Sequence, residues 1–193
     1  KGYLGEAREL VDSGFANVRR AVDARRESGR LETDEEYQEA LEESGYHLRN
    51  ARGWIHLQEG RLEEAEMELI RALDAAPKEG HILYNLGRLF EEKAALAGVW
   101  PPGQEGGEEV ASFLGRAEEY FAKGTLVNWR WEWENPNEGA IRDLYQGAHG
   151  TLEGFEEHYA EITRWDREAK RQEILDGRIE EPEPMPPFVL ANL

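Results

Sequence analysis

A short phrase that returns along this chain restricts its fold more than any other feature. Gly2-Tyr-Leu-Gly-Glu-Ala7 reappears as Gly60-Arg-Leu-Glu-Glu-Ala65 and as Gly150-Thr-Leu-Glu-Gly-Phe155, with Gly29-Arg-Leu-Glu32 as a partial copy. In each copy a glycine ends one helix and a leucine-bearing stretch opens the next, so the phrase marks helix-to-helix turns. Its fullest setting runs from Tyr46 to Pro77, where Gly53, Gly60, Ala65, Ala72 and Pro77 follow at spacings of seven, five, seven and five residues. Gly53 and Ala65 are small enough to let two helices approach closely, and Gly60 supplies the turn. Ala72 leaves room for the next unit, and Pro77 stops the second helix because it cannot extend the hydrogen-bond ladder. Repetition on this scale predicts helix pairs piled in a row, each burying its apolar face on its neighbours.

The ladder resembles the tetratricopeptide repeat (TPR) pattern, and the resemblance covers about residues 1–165. It implies an all-α fold, a right-handed solenoid of antiparallel helix pairs, here followed by a short extended C-terminal tail. The units it predicts are a half repeat at 1–13 and repeats at 14–45, 46–79 and 80–127, then a degenerate repeat at 137–165. Gly2 to Val11 reads as a second helix without its first. Phe15 to Glu27 and Thr33 to Ser44 read as a pair, with Val18, Val22, Tyr37, Ala40 and Leu41 as its buried stripe. Thr33 followed by Glu36 is a capping box that opens the second of them. Gly80 starts the next unit with Leu83, Leu86, Gly87 and Phe90. The stretch Val99-Trp-Pro-Pro-Gly-Gln-Glu-Gly-Gly107 then breaks the pattern until Ala117 and Phe121 resume it, which predicts an insert at about 99–116. In the last repeat Asn137 is expected to cap a helix through Tyr145, and Leu152 to Ile162 to form its partner, with Phe155 where a small residue is expected. A charged terminal helix follows at about 164–178, then a stiff Pro/Glu linker at 180–187 and a strand-like tail at 188–193.

Charge separates the partners such a scaffold can take. Of 193 residues, 41 are Asp or Glu and 23 Lys or Arg, a net charge of −18, which excludes a sequence-independent grip on nucleic acid or on anionic lipid. Neutral or basic partners fit better, although the same charge also serves to keep long helices soluble. No apolar run approaches the roughly 20 residues that cross a bilayer, so membrane insertion is not expected. The chain has no cysteine, which removes disulfides, thiolate metal sites and thiol nucleophiles from this segment but leaves its compartment open. His47, His56, His81, His149 and His158 show no ligand spacing, and no phosphate-binding loop or nucleophile elbow is present. A binding role without catalysis, cofactor or metal is the expectation.

TPR proteins mostly bind peptides or partner proteins on the concave side of the stack. The resemblance lines that side here with Arg19 and Arg20, then His47, Asn50 and Trp54, then His81, Tyr84, Asn85 and Arg88. Some TPR domains clamp a peptide C-terminal carboxylate with Lys, Arg and Asn in these places. Asn50, Asn85 and Arg88 match that pattern and no lysine does, so solvated helix surface is the alternative reading. Trp129, Trp131 and Trp133 alternate with charged residues and form either an aromatic platform for a ligand or a wedge against the irregular repeat. Trp100 stands in the insert, a second candidate for partner contact.

Pro187-Phe188-Val-Leu190 resembles the opening strand of thioredoxin-like redoxin domains. This implies a repeat region that precedes such a domain, whose cysteines would lie beyond Leu193, and a periplasmic or other extracytoplasmic setting. A second possibility rests on the ends: an unpaired first helix and an apolar last strand are completed either by more chain or by self-association with neighbouring copies.

Overall fold

The computed structural model of the chain describes residues 2–98, 108–127 and 136–163. Trp100, Trp129, Trp131 and Trp133, together with the terminal helix, the linker and the tail, lie outside the described residues. The described residues form seven α-helices and no strand: α1 (Gly2–Glu27), α2 (Asp34–Gln58), α3 (Leu62–Ala75), α4 (Gly80–Ala97), α5 (Glu108–Leu126), α6 (Pro136–His149) and α7 (Phe155–Ile162). None of them is long and apolar enough to cross a membrane.

Three copies of the repeated phrase act as turns. Gly29, Gly60 and Gly150 all have φ near +70°, a left-handed conformation that glycine adopts without steric cost. At Gly60 the backbone N–H groups of Gly60 and Arg61 bond back to Leu57 and His56, both at 3.0 Å, and Gly29 and Arg30 do the same to Arg26 and Arg25. This pair of bonds uses the last free carbonyls of the preceding helix and stops it cleanly. The capping box also forms. Thr33 Oγ1 accepts from the Glu36 N–H at 3.1 Å, and the Glu36 carboxylate accepts from the Thr33 and Glu32 N–H groups at 3.0 and 2.7 Å. Those backbone bonds hold the Glu36 carboxyl below its ordinary pKa.

Three sequence-based boundaries are corrected. The half repeat at 1–13 and the helix expected from Phe15 are one helix, because α1 runs unbroken through Ser13 and Gly14. Likewise the helices expected to part near Gly45 are one helix, α2, so 14–45 is not a separate helix pair. The physical reason is that these glycines serve contact. A methyl group on Gly14 would sit 2.6 Å from Leu48 Cδ2, and one on Gly45 would sit 3.5 Å from the Phe15 ring. The insert is also shorter than expected, since residues 108–116 are already the first half of α5. Val110 is buried and Phe113 and Leu114 pack on the core, which continues the Ala117 and Phe121 stripe at helical spacing. Asn137, expected as a cap, instead lies inside α6 behind Pro136, fully buried against the bare backbone of Gly124. Pro136 suits the first helical position because its missing N–H would be unpaired there anyway.

Each helix packs on the next along the chain, and α2 also reaches α4. Arg8 on α1 pairs with Glu59 just past α2, while at the opposite ends Arg26 pairs with Asp34. The apolar interior has two parts. Val22, Leu31 and Ala40 form a small cluster under α1 and the first half of α2. A much larger one extends from Leu57 through Leu69, Leu86, Phe90 and Phe121 to Ile141 and Phe155. Within it Gly53 meets Leu69 and Gly87 meets the Phe121 ring so closely that an added methyl would overlap each.

Candidate binding face between α2 and α4

The second half of α2 and the first half of α4 come together, and each carries a glycine, Gly53 and Gly87, where α3 and α5 press in. Their other sides meet each other. The His47 and His81 rings stack at 5.8 Å between centroids with planes 10° apart. Next to them Asn85 Nδ2 donates to Asn50 Oδ1 at 2.9 Å. Tyr46 lies against His47 with ring centroids 3.8 Å apart, and its hydroxyl donates to Glu79 Oε1 at 3.5 Å. Glu79 Oε2 in turn lies 3.4 Å from His81 Nδ1. Two helices that are not consecutive thus present amides and imidazoles side by side. Trp54, two turns along α2 from His47, is 38% exposed, a large aromatic surface left open to solvent.

The remaining expected residues are placed less favourably. Tyr84 is half-buried, its ring 5.7 Å from Phe121, so it packs on α5 at least as much as it faces outward. Arg88 is engaged by Glu91, with Nη1 2.5 Å from Oε2. Glu91 is buried, and that burial, opposed by Arg88 and reinforced by Glu92 and Asp143, raises its pKa to about 7. Arg19 and Arg20 are exposed on α1. Arg20 donates to Asn17, and Arg19 lies near Tyr37, whose hydroxyl donates to Asp23 at 2.7 Å. Arg19 thus belongs with the first half of α2 and Arg20 with its own helix, so the described contacts bring together His47, Asn50, His81 and Asn85 and do not join Arg19 or Arg20 to them.

An ionic staple was not anticipated from sequence. Glu68 on α3 is buried, and Arg49 and Arg52 of α2 reach it at 3.2 and 3.5 Å. Arg49 also holds both oxygens of Glu42, at 2.5 and 2.6 Å. Burial works against the Arg49 charge, but the bonds to Glu42 and Glu68 outweigh it and leave its pKa raised. Arg52 lies 4.1 Å over the Phe15 ring and pairs with Asp12 at 3.4 Å, tying in α1. Spacing offered only a partial signal: Arg49, one turn from Tyr46 and from Gly53, stands where an apolar residue would be expected on a packed face. The role of the two arginines is to brace α2, one of the two helices that carry the face, against α1 and α3.

Among the described residues no group of three or more His, Asp or Glu is placed to hold a metal ion. Comparison of the chain with protein-family models, with curated proteins and with solved structures finds no match in any of the three.

Proposed function

We propose that this chain is a protein–protein interaction scaffold, a TPR-like right-handed solenoid of antiparallel helix pairs that holds a peptide or partner protein on the face shared by α2 and α4. The observation that carries the reading is the hydrogen bond from Asn85 to Asn50, 35 positions apart, beside the His47–His81 stack. A side-chain amide offers both donors and an acceptor, the groups that an extended polypeptide backbone needs. Exposed Trp54 adds apolar area at one end of the same strip. Arg88 lies against Glu91 and does not stand open on the strip, so the reading uses the amides and not a carboxylate clamp.

The test is affinity capture with the full chain and with an Asn50→Ala, Asn85→Ala, Arg88→Ala variant whose far-UV spectrum matches the parent. Selective loss of one or more recovered proteins supports the face, whereas equal recovery of every protein rejects it. The redoxin likeness of the tail extends the proposal to a repeat region of a longer redoxin-type protein. Coding sequence past Leu193 without a cysteine-bearing redoxin domain would withdraw that extension.

A second reading, self-association through α1, is favoured by Tyr3 and Leu10, which are 89% and 73% exposed on that helix. Sedimentation decides it: a mass that grows with concentration supports the reading, and a monomer at all concentrations removes it.

A further inference from the structure

A cleft of about 220 Å³ opens between α5, α6 and α7, separate from the face between α2 and α4. Leu114, Leu144 and Ala148 give it apolar walls, and Glu118, Tyr145 and His158 give it a polar side. His158 Nε2 lies 2.6 Å from Glu118 Oε1, a contact that ties α7 to α5 and fixes the carboxylate at the edge of the cleft. The Tyr145 ring lies 5.0 Å from His158 between centroids, and its hydroxyl donates to the Glu153 carbonyl at 2.7 Å, which holds the ring in place. An apolar wall, an aromatic ring and a fixed carboxylate together match a long side chain with a cationic tip.

We propose that this cleft is a recognition pocket for a lysine side chain presented by a partner protein. Charge complementarity selects a cation. Residues 151–163 carry Glu153, Glu156, Glu157 and Glu161 with no Lys or Arg, and the whole chain stands at −18. On α5 the neighbouring Glu119 is paired with Lys123, which leaves Glu118 as the carboxylate at the cleft. The contact with His158 selects lysine over arginine. A guanidinium fork prefers both carboxylate oxygens at once, and here Oε1 already faces the imidazole, whereas an ammonium needs only one acceptor. The butyl stem lies along Leu114, Leu144 and Ala148 while the ammonium reaches Glu118.

The experiment titrates the full chain with the blocked tripeptide acetyl-Gly-Lys-Gly-amide and follows backbone amide signals, with Arg, Leu and Glu tripeptides and free butylamine as parallel arms. The lysine peptide is expected to move the signals of Gly115, Ala148 and His158 and to leave His47 and His81 unmoved. Arg, Leu and Glu peptides are expected to bind more weakly, as is butylamine, which lacks the backbone a protein partner supplies. Glu118→Gln should weaken the lysine peptide about tenfold, the loss of one charge-assisted hydrogen bond. Should Glu118→Gln disturb α7, His158→Gln keeps a side-chain N–H that can hold the Glu118 carboxylate and must retain lysine binding. Equal response to the leucine peptide, tighter binding of butylamine, or loss of lysine binding in His158→Gln would each overturn the assignment.

Discussion

A methyl group on Gly87 would overlap the Phe121 ring, whose stiff plane sits inside the larger apolar cluster. Gly115 is the opposite case, a mid-helix glycine on α5 with nothing within 4 Å of an added methyl. Gly87→Ala is therefore expected to cost about 2–3 kcal/mol through overpacking. Gly115→Ala should gain about 0.5–1 kcal/mol by restricting the unfolded chain and favouring helix. Urea unfolding of both variants checks the pair, and similar signs would contradict the close approach at Gly87. Glu91 makes a pH-dependent case at the same scale. Because the fold raises it from 4.5 to about 7, the folded chain keeps this proton across a window where the unfolded chain has released it. Stability is therefore lost as pH rises through that window. Glu91→Gln is neutral throughout, so its stability relative to wild type should climb by up to about 3 kcal/mol between roughly pH 4.5 and 7. A constant difference across that range, in denaturant titrations of both chains, would contradict the burial argument.

Helices were legible where the signal was local and ambiguous where the deciding partner was distant. Thr33 and Glu36 stand three residues apart, and the box they form is visible to anyone reading that stretch. Thr33→Ala is accordingly expected to cost about 1 kcal/mol, the usual loss of an N-cap, measured by urea unfolding; no change would mean the cap is dispensable. Gly29, Gly60 and Gly150 were likewise readable as the points where one helix stops, although only after Gly60 does the repeated Leu-Glu itself open the next helix. The helices α2 and α7 start later, at Asp34 and Phe155, and not at Leu152 as the spacing predicts. Gly14 and Gly45 carry the same letter but a different role, and only Leu48 and Phe15, brought across from the opposite helix, reveal it. Much the same holds for the face between α2 and α4. The repeat register nominated His47, Asn50, His81 and Asn85, whereas the engagement of Arg88 by buried Glu91 and of Tyr84 by Phe121 depended on packing that spacing does not encode. The Glu68 staple was hidden for the same reason, since its three helices meet only in the folded chain. The small Val22, Leu31 and Ala40 cluster gives α1 less apolar support than α3 and α4 have. Amide hydrogen exchange should show α1 opening at a lower free energy than α4, and equal protection of the two would mean the clusters are not energetically distinct.

For the molecule as a whole, contacts between consecutive helices account for most of the packing among the described residues, and α2 also reaches α4, which brings two non-consecutive helices onto one face. Gly53 and Gly87 let α3 and α5 pack closely on the two helices that carry the face. A net charge of −18 repels a polyanionic partner and complements a neutral or basic one. The proposed lysine pocket would draw on the same field at the other end of the described chain. All of this rests on α2 and α4 lying side by side in solution. The most direct measurement is a nuclear Overhauser experiment on the full chain, which reads proton pairs within roughly hydrogen-bonding or ring-stacking reach. The account predicts cross-peaks between the His47 and His81 rings and between the Asn50 and Asn85 side-chain amides; a spectrum with strong cross-peaks inside α2 and inside α4 but none between them would contradict it.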